Sequence, residues 1–245
     1  MKLKKVMALT MAGAMAATTL TACGSSSSTT ETTKAAETTA AAAADTTAAA
    51  AADNGSSDAE TVLQVAFENS ISEPVGQGWE KAQEIIKEKS GGKMAIEIYP
   101  DSQLGDKSSL IDSMLLGENV CTLADGAFYA DYGVPDFGIV FGPFLFDSWD
   151  QVWKLVDSDW YKEQCDKLEE KGLKIIASNW IYGERHTLTN VPVNTVDDLK
   201  GLKIRVPSNE IQSKGFDVLG ATSTGMALGD VYQALQTKTI DGAEN

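Results

Sequence analysis

From residue 61 onward, apolar positions recur with two alternating periods. Val62 to Phe67 form a short apolar run suited to a buried strand. Val75, Trp79, Ala82, Ile85 and Ile86 follow at helical spacing and stop at Gly91-Gly92, a helix terminator. Met94, Ile96 and Ile98 alternate with polar residues, which predicts a second strand. Leu110, Ile111, Met114 and Leu115 predict a helix over Ser108–Leu116. Strand–helix–strand–helix order argues for an α/β fold with a mainly parallel sheet covered by helices.

The apolar stretch Val134–Phe146 is broken by Pro135, Gly138, Gly142 and Pro143, so it reads as a loop through the core. Ser148-x-x-Gln151 has the form of a capping box opening the next helix. Strands are expected at Leu173–Trp180, Arg185–Thr189 and Leu202–Val206, with a capped turn at Thr195–Leu199. Ser208–Leu219 and Leu228–Gln236 read as helices, and no internal repeat is present.

The first sixty residues follow another logic. Lys2, Lys4 and Lys5 precede an apolar run from Val6 to Ala17, the layout of a signal peptide over residues 1–22. Leu20-Thr21-Ala22-Cys23-Gly24 resembles a bacterial lipobox, which implies lipidation of Cys23. Residues 23–60 are Ser, Thr and Ala with scattered charges, a composition that cannot offset ordering entropy and reads as a tether. Such a coil would hold the folded part roughly 30 Å from the membrane. The expected location is the outer face of the bacterial cytoplasmic membrane.

Charge narrows the partners. The formal net charge is −15, and loss of the three signal lysines takes the mature chain to −18. Nucleic acid and an anionic membrane surface are poor partners for such a chain. A small anion is not excluded, because surface charge is screened over roughly 8 Å. After Cys23, Cys121 and Cys165 remain; spacing leaves their pairing open, and free, buried thiols are expected. One histidine, His186, makes hydrolytic triads and metal sites poor candidates, so no enzyme, no cofactor and no metal is expected.

Only two arginines occur, Arg185 and Arg205, twenty positions apart. Arginine's planar fork grips a carboxylate with two parallel hydrogen bonds, as lysine cannot. On the strand Leu202–Val206, Leu202, Ile204 and Val206 alternate inward and Lys203 and Arg205 share the other face. For Arg185 a salt bridge with Glu184 or Asp198 is the competing reading. Glu68 and Asn69 end the first strand, where open α/β sheets present residues to a crevice, so one of them should face a cleft. Trp180, Tyr182 and Phe128 are candidate walls, with core packing the alternative for at least one.

Asp198-Leu199-Lys200-Gly201-Leu202-Lys203-Ile204-Arg205-Val206-Pro207 resembles the signature of the substrate-binding proteins of TRAP transporters, the C4-dicarboxylate and sialic-acid binders. Further pieces fit in order: Gln103-Leu104-Gly105-Asp106, Gly142-Pro143-Phe144-Leu145-Phe146, Leu219-Gly220-Ala221, Val231-Tyr232-Gln233-Ala234-Leu235-Gln236 and Ile240-Asp241-Gly242-Ala243-Glu244-Asn245. The resemblance implies a two-lobe clamshell, with lobe one at 61–182 and an incomplete lobe two at 183–245, and a C-terminally truncated chain. It implies ligand contacts at Arg205, Arg185 and Asn245, with Asp125 where some members contact hydroxyls or amines. Ser223, Gly225 and Leu228 depart from the family's prolines and aromatic, so the pocket wall is open to revision. An acid at Asp125 disfavours a second ligand carboxylate and tilts the expectation to a sugar acid or hydroxy acid. The implied partners are that carboxylate and the TRAP membrane subunits. The alternatives are a ligand-sensing lipoprotein of the same fold and a secreted enzyme.

Overall fold

A computed structural model describes residues 59–245. The signal peptide, Cys23 and nearly all of the tether lie outside the described residues. Strand β1 (Thr61–Ala66), helix α1 (Pro74–Lys89), strand β2 (Met94–Tyr99), helix α2 (Lys107–Leu115) and strand β3 (Val120–Cys121) build the first layer. These strands form a parallel sheet in the order β2-β1-β3. Val65, Phe67, Val75, Ile96 and Ile98 are buried together beneath Trp79, Ala82 and Ile86 of α1. The helical spacing read from the sequence thus supplies the face that covers the sheet. Gly91 and Gly92 stop α1 with φ of 62° and 81°, a left-handed turn that a Cβ would strain.

Helix α3 (Gly126–Asp131), a 3-10 helix at Pro135–Phe141, helix α4 (Trp149–Val156) and helix α5 (Asp159–Glu170) follow. Ile111, Phe128, Val134, Phe137, Leu168 and Leu173 form a second apolar cluster among these helices. Asp106 caps α2 by accepting from the Ser109 N–H at 2.8 Å. Ser148 stands at the N-cap of α4, but its side chain makes no cap. Gln151 turns back instead and accepts from the Asp147 N–H, so the expected capping box is not formed.

Leu173–Trp180 joins no sheet, against the expectation of a strand. Its apolar residues serve side-chain packing: Leu173 and Ile175 complete the α5 cluster and Trp180 stacks on Trp79. Ile176 is left 75% exposed. An apolar run marks residues fit for a strand, but a ladder also needs a neighbour.

A second sheet comprises β4 (Thr187–Thr189), β5 (Lys203–Val206), β6 (Thr222–Gly225) and β7 (Gly242–Glu244), with helices α6 (Glu210–Val218) and α7 (Val231–Gln236). Its order is β4-β7-β5-β6, with β5 parallel to β6 and β7, and β4 antiparallel to β7. Leu199, Ile204 and Ala221 form its core. Thr195 and Asp198 make the expected reciprocal cap at Val196–Leu199. Cys121 and Cys165 are free and half-buried, in two different clusters. Among the described residues no helix is long and apolar enough to cross a membrane.

Candidate functional site

Arg205 lies on β5 between β6 and β7, opposite Thr224 and Ala243. It is 2% exposed. Its Nε donates to the Met226 carbonyl at 3.0 Å and its Nη1 to the Glu244 carbonyl at 3.1 Å. The guanidinium has five donors, so Nη2 and one Nη1 proton are left without partners among the described residues. Among the described residues no carboxylate lies within ion-pair distance of it. Burial draws this guanidinium below its ordinary pKa, while the charges of Glu68 and Glu244 oppose that shift. A buried cation held by carbonyls, with no carboxylate in direct contact among the described residues, favours an incoming anion.

Arg185 has a different environment. Its Nε donates to Oε1 of Glu244 and its Nη2 to Oε2 at 2.8 Å, a bidentate fork. Neither Glu184 nor Asp198 is the partner: Asp198 accepts instead from the N–H groups of Asn194 and Thr195, which lower its pKa. Burial alone would lower the pKa of Arg185, but the Glu244 hydrogen bond and charge outweigh it and raise it. The Phe141 ring lies 5.8 Å from the guanidinium. Glu244 is 6% exposed and also accepts from Gln212 Nε2 at 3.0 Å. Sequence reasoning missed Glu244 and Gln212, because no local pattern reveals a pairing across 59 or 32 residues.

The end of β1 supplies the opposite wall. Asp101 and Ser102, with φ of 54° and 57°, form a turn whose N–H groups donate to the carbonyls of Asn69 and Phe67. Left-handed non-glycine residues are uncommon, and here the turn fixes the strand end that carries Glu68 and Asn69. Glu68 Oε1 accepts from the Leu228 N–H at 3.0 Å. One pocket is lined by Glu68, Lys107, Phe128, Arg205, Ser208 and Met226. Carboxyl ends of parallel strands thus meet a cleft, as open α/β sheets arrange their ligand sites.

The other candidates are dispersed around it. Asn69 is buried, and its Nδ2 donates to Glu73 Oε2 at 2.8 Å and to the Tyr182 hydroxyl at 2.9 Å. Tyr182 is 54% exposed. Trp180 stacks on Trp79 with ring centroids 4.9 Å apart. Asp125 caps α3 through the Ala127 N–H and pairs with Lys107 at 3.5 Å, and Lys107 in turn sits 4.7 Å over the Phe128 ring. Asn245 exchanges backbone hydrogen bonds with His186, and its side chain is exposed. His186 is exposed as well. Among the described residues no group of three or more His, Cys, Asp and Glu is placed to hold a metal ion.

The chain is 30% identical over 195 residues to the sialic acid-binding periplasmic protein SiaP of Vibrio cholerae, covering 78% of this chain and 59% of that protein. It is 33% identical over 172 residues to the C4-dicarboxylate-binding periplasmic protein DctP of Rhodobacter capsulatus, covering 70% of this chain and 51% of that one. The chain therefore spans little more than half the length of these curated relatives. Among solved structures, a TRAP periplasmic solute binding protein from Ochrobacterium anthropi with bound L-fuconate matches with a TM-score of 0.73 and 40% identity, covering 76% of this chain and 61% of that one. Another, from Actinobacillus succinogenes with bound L-galactonate, matches with a TM-score of 0.72 and 37% identity over 75% of this chain and 61% of that one. These likenesses agree with the parallel sheets flanked by helices, and the family is one of solute binders rather than enzymes. The profile of bacterial extracellular solute-binding protein family 7 matches residues 65–245, and the chain belongs to that family, the solute-binding proteins of TRAP transporters.

Proposed function

We propose that this protein captures a hydroxylated monocarboxylate, a sugar acid or hydroxy acid, outside the cytoplasmic membrane and delivers it to TRAP membrane subunits. The observation that carries this reading is Arg205: buried, held by two carbonyls, with free N–H groups and no acid partner among the described residues. A ligand carboxylate would complete its coordination with charge-assisted hydrogen bonds. The bound L-fuconate and L-galactonate of the two solved relatives support a sugar acid. Glu68 in the pocket and Asp125 beside Lys107 would repel a second ligand carboxylate and suit hydroxyl groups.

In this reading Arg185 contributes charge and its uncommitted Nη1, because Glu244 already occupies its fork. Asn69 and Tyr182 act as a joined pair on the rim, Trp180 shapes it through Trp79, and Asn245 adds its amide. Residues 61–182 and 183–245 act as two lobes that close when the ligand contacts both. Cys23 carries the lipid that ties the chain to the membrane.

A thermal-shift panel of sugar acids, hydroxy acids, dicarboxylates and their amides tests the proposal on the full chain. Ligand at a hundred times its Kd stabilises by about 2.7 kcal/mol, roughly 5 to 10 °C for a chain of this size. Shifts confined to the hydroxylated monocarboxylates are expected. A response to amides as large as that to acids, or none to any acid, would refute the reading.

A further inference from the structure

Glu68 is fixed on one oxygen and free on the other. The turn at Asp101 and Ser102 pins the backbone on either side of it, and Oε1 accepts from the Leu228 N–H. Oε2 has no hydrogen-bond partner among the described residues. Glu68 lines the same narrow pocket as Arg205 without forming an ion pair to it, and its charge acts on the Arg205 guanidinium. Asp106 also lines the pocket and caps α2 with one oxygen, but it is the charge of Glu68, and not that of Asp106, that acts on the Arg205 guanidinium. Glu68 is therefore the acidic group best placed to meet the atom next to a carboxylate bound on Arg205.

An ionised carboxylate accepts hydrogen bonds and donates none. A hydroxyl on the carbon beside the ligand carboxylate can donate to it, in a charge-assisted bond. A keto oxygen at that carbon only accepts, so two acceptors would face each other in a desolvated pocket. We propose that Glu68 reads the substituent next to the ligand carboxylate, so that the site takes 2-hydroxy acids and rejects 2-keto acids. This rests on the reading of Arg205 as the carboxylate site and adds the chemical class of the neighbouring group.

The test is calorimetric titration of the full chain with L-lactate and with pyruvate, which share carbon number and charge and cannot close into a hemiketal. Wild type should favour the hydroxy acid by at least about tenfold, the scale of one hydrogen bond to a charged group. Glu68→Gln can donate through its amide, so the ratio should fall to about threefold or less, chiefly through tighter binding of the keto acid. Equal affinity of wild type for the two acids overturns the inference and leaves the carboxylate reading standing. An unchanged ratio in a variant that still melts cooperatively does the same. If the variant does not fold, the wild-type ratio alone decides. Binding of neither acid, nor of any other carboxylate, removes the inference together with the reading beneath it.

Discussion

Glu244 is the carboxylate on which Arg185 depends, and the cost of removing it follows from the geometry. Glu244 accepts two N–H groups from Arg185 and one from Gln212, with side-chain exposures of 8% for the acid and 25% for the arginine. Breaking a buried pair by removing one partner costs about 3–5 kcal/mol, because the survivor remains charged and unpaired. Arg185 is a quarter exposed, so water offsets part of this and about 2–4 kcal/mol is expected for Glu244→Leu. For a chain of this size that lowers Tm by roughly 5 to 15 °C. Arg185→Met should cost at least as much, since Glu244 is the more buried partner. The double variant Arg185→Met, Glu244→Leu should be more stable than either single one, because no charge is stranded. Urea unfolding without ligand, with the slope checked for constancy, measures all four proteins. A double variant whose loss equals the sum of the two singles would refute the pairing, as would singles within about 0.5 kcal/mol of wild type.

Other outcomes follow from the same structure. Arg205→Lys keeps one charge but loses the fork and one of its carbonyl tethers, so calorimetry should show carboxylate affinity falling by about a hundredfold or more; unchanged affinity would exclude Arg205 from the site. Phe137→Ala removes a ring at 1% exposure that meets Tyr129 and Tyr161 edge-on, and should cost about 3–5 kcal/mol in urea unfolding. The N–H groups of Asn194 and Thr195 lower the pKa of Asp198 in the folded protein, so its contribution is present above the unfolded carboxylate range and is lost as pH falls through the lowered value. Asp198→Asn should flatten the acid limb of the stability curve, and a limb as steep as wild type would discount it. Burial raises the Cys121 thiol to about 11, so iodoacetamide at pH 8 should label it slowly until the protein is unfolded.

Much of the first sheet was legible in the sequence because its signals are local. The apolar run at Val62–Phe67, the helical spacing from Val75 to Ile86 and the Gly91-Gly92 stop each lie within a few residues of the element they specify. Strands β3, β6 and β7 are two to four residues long and carry too little alternation to read. Leu173–Trp180 reads as a strand yet joins no sheet, and its apolar side chains pack instead on the α5 cluster and Trp79. The site divides in the same way. Arg205 stands out because arginine is rare in this chain, and Glu68 because it ends a strand. Glu244 becomes visible only once β7 lies between β4 and β5, where Gly242 approaches the Leu188 carbonyl so closely that an added Cβ would lie 2.4 Å from it. Ser148 and Gln151 match a capping pattern, but Gln151 accepts from the Asp147 N–H instead and the Ser148 side chain makes no cap.

The central claim is that Arg205 holds a ligand carboxylate. Calorimetric titration of the full chain with L-galactonate and with L-galactonamide, which differ only in the charged group, tests it most directly. The account predicts binding of the acid and a loss of at least about a hundredfold for the amide, because an amide oxygen can accept from Arg205 but brings no negative charge to the buried guanidinium. Equal binding of acid and amide would contradict it.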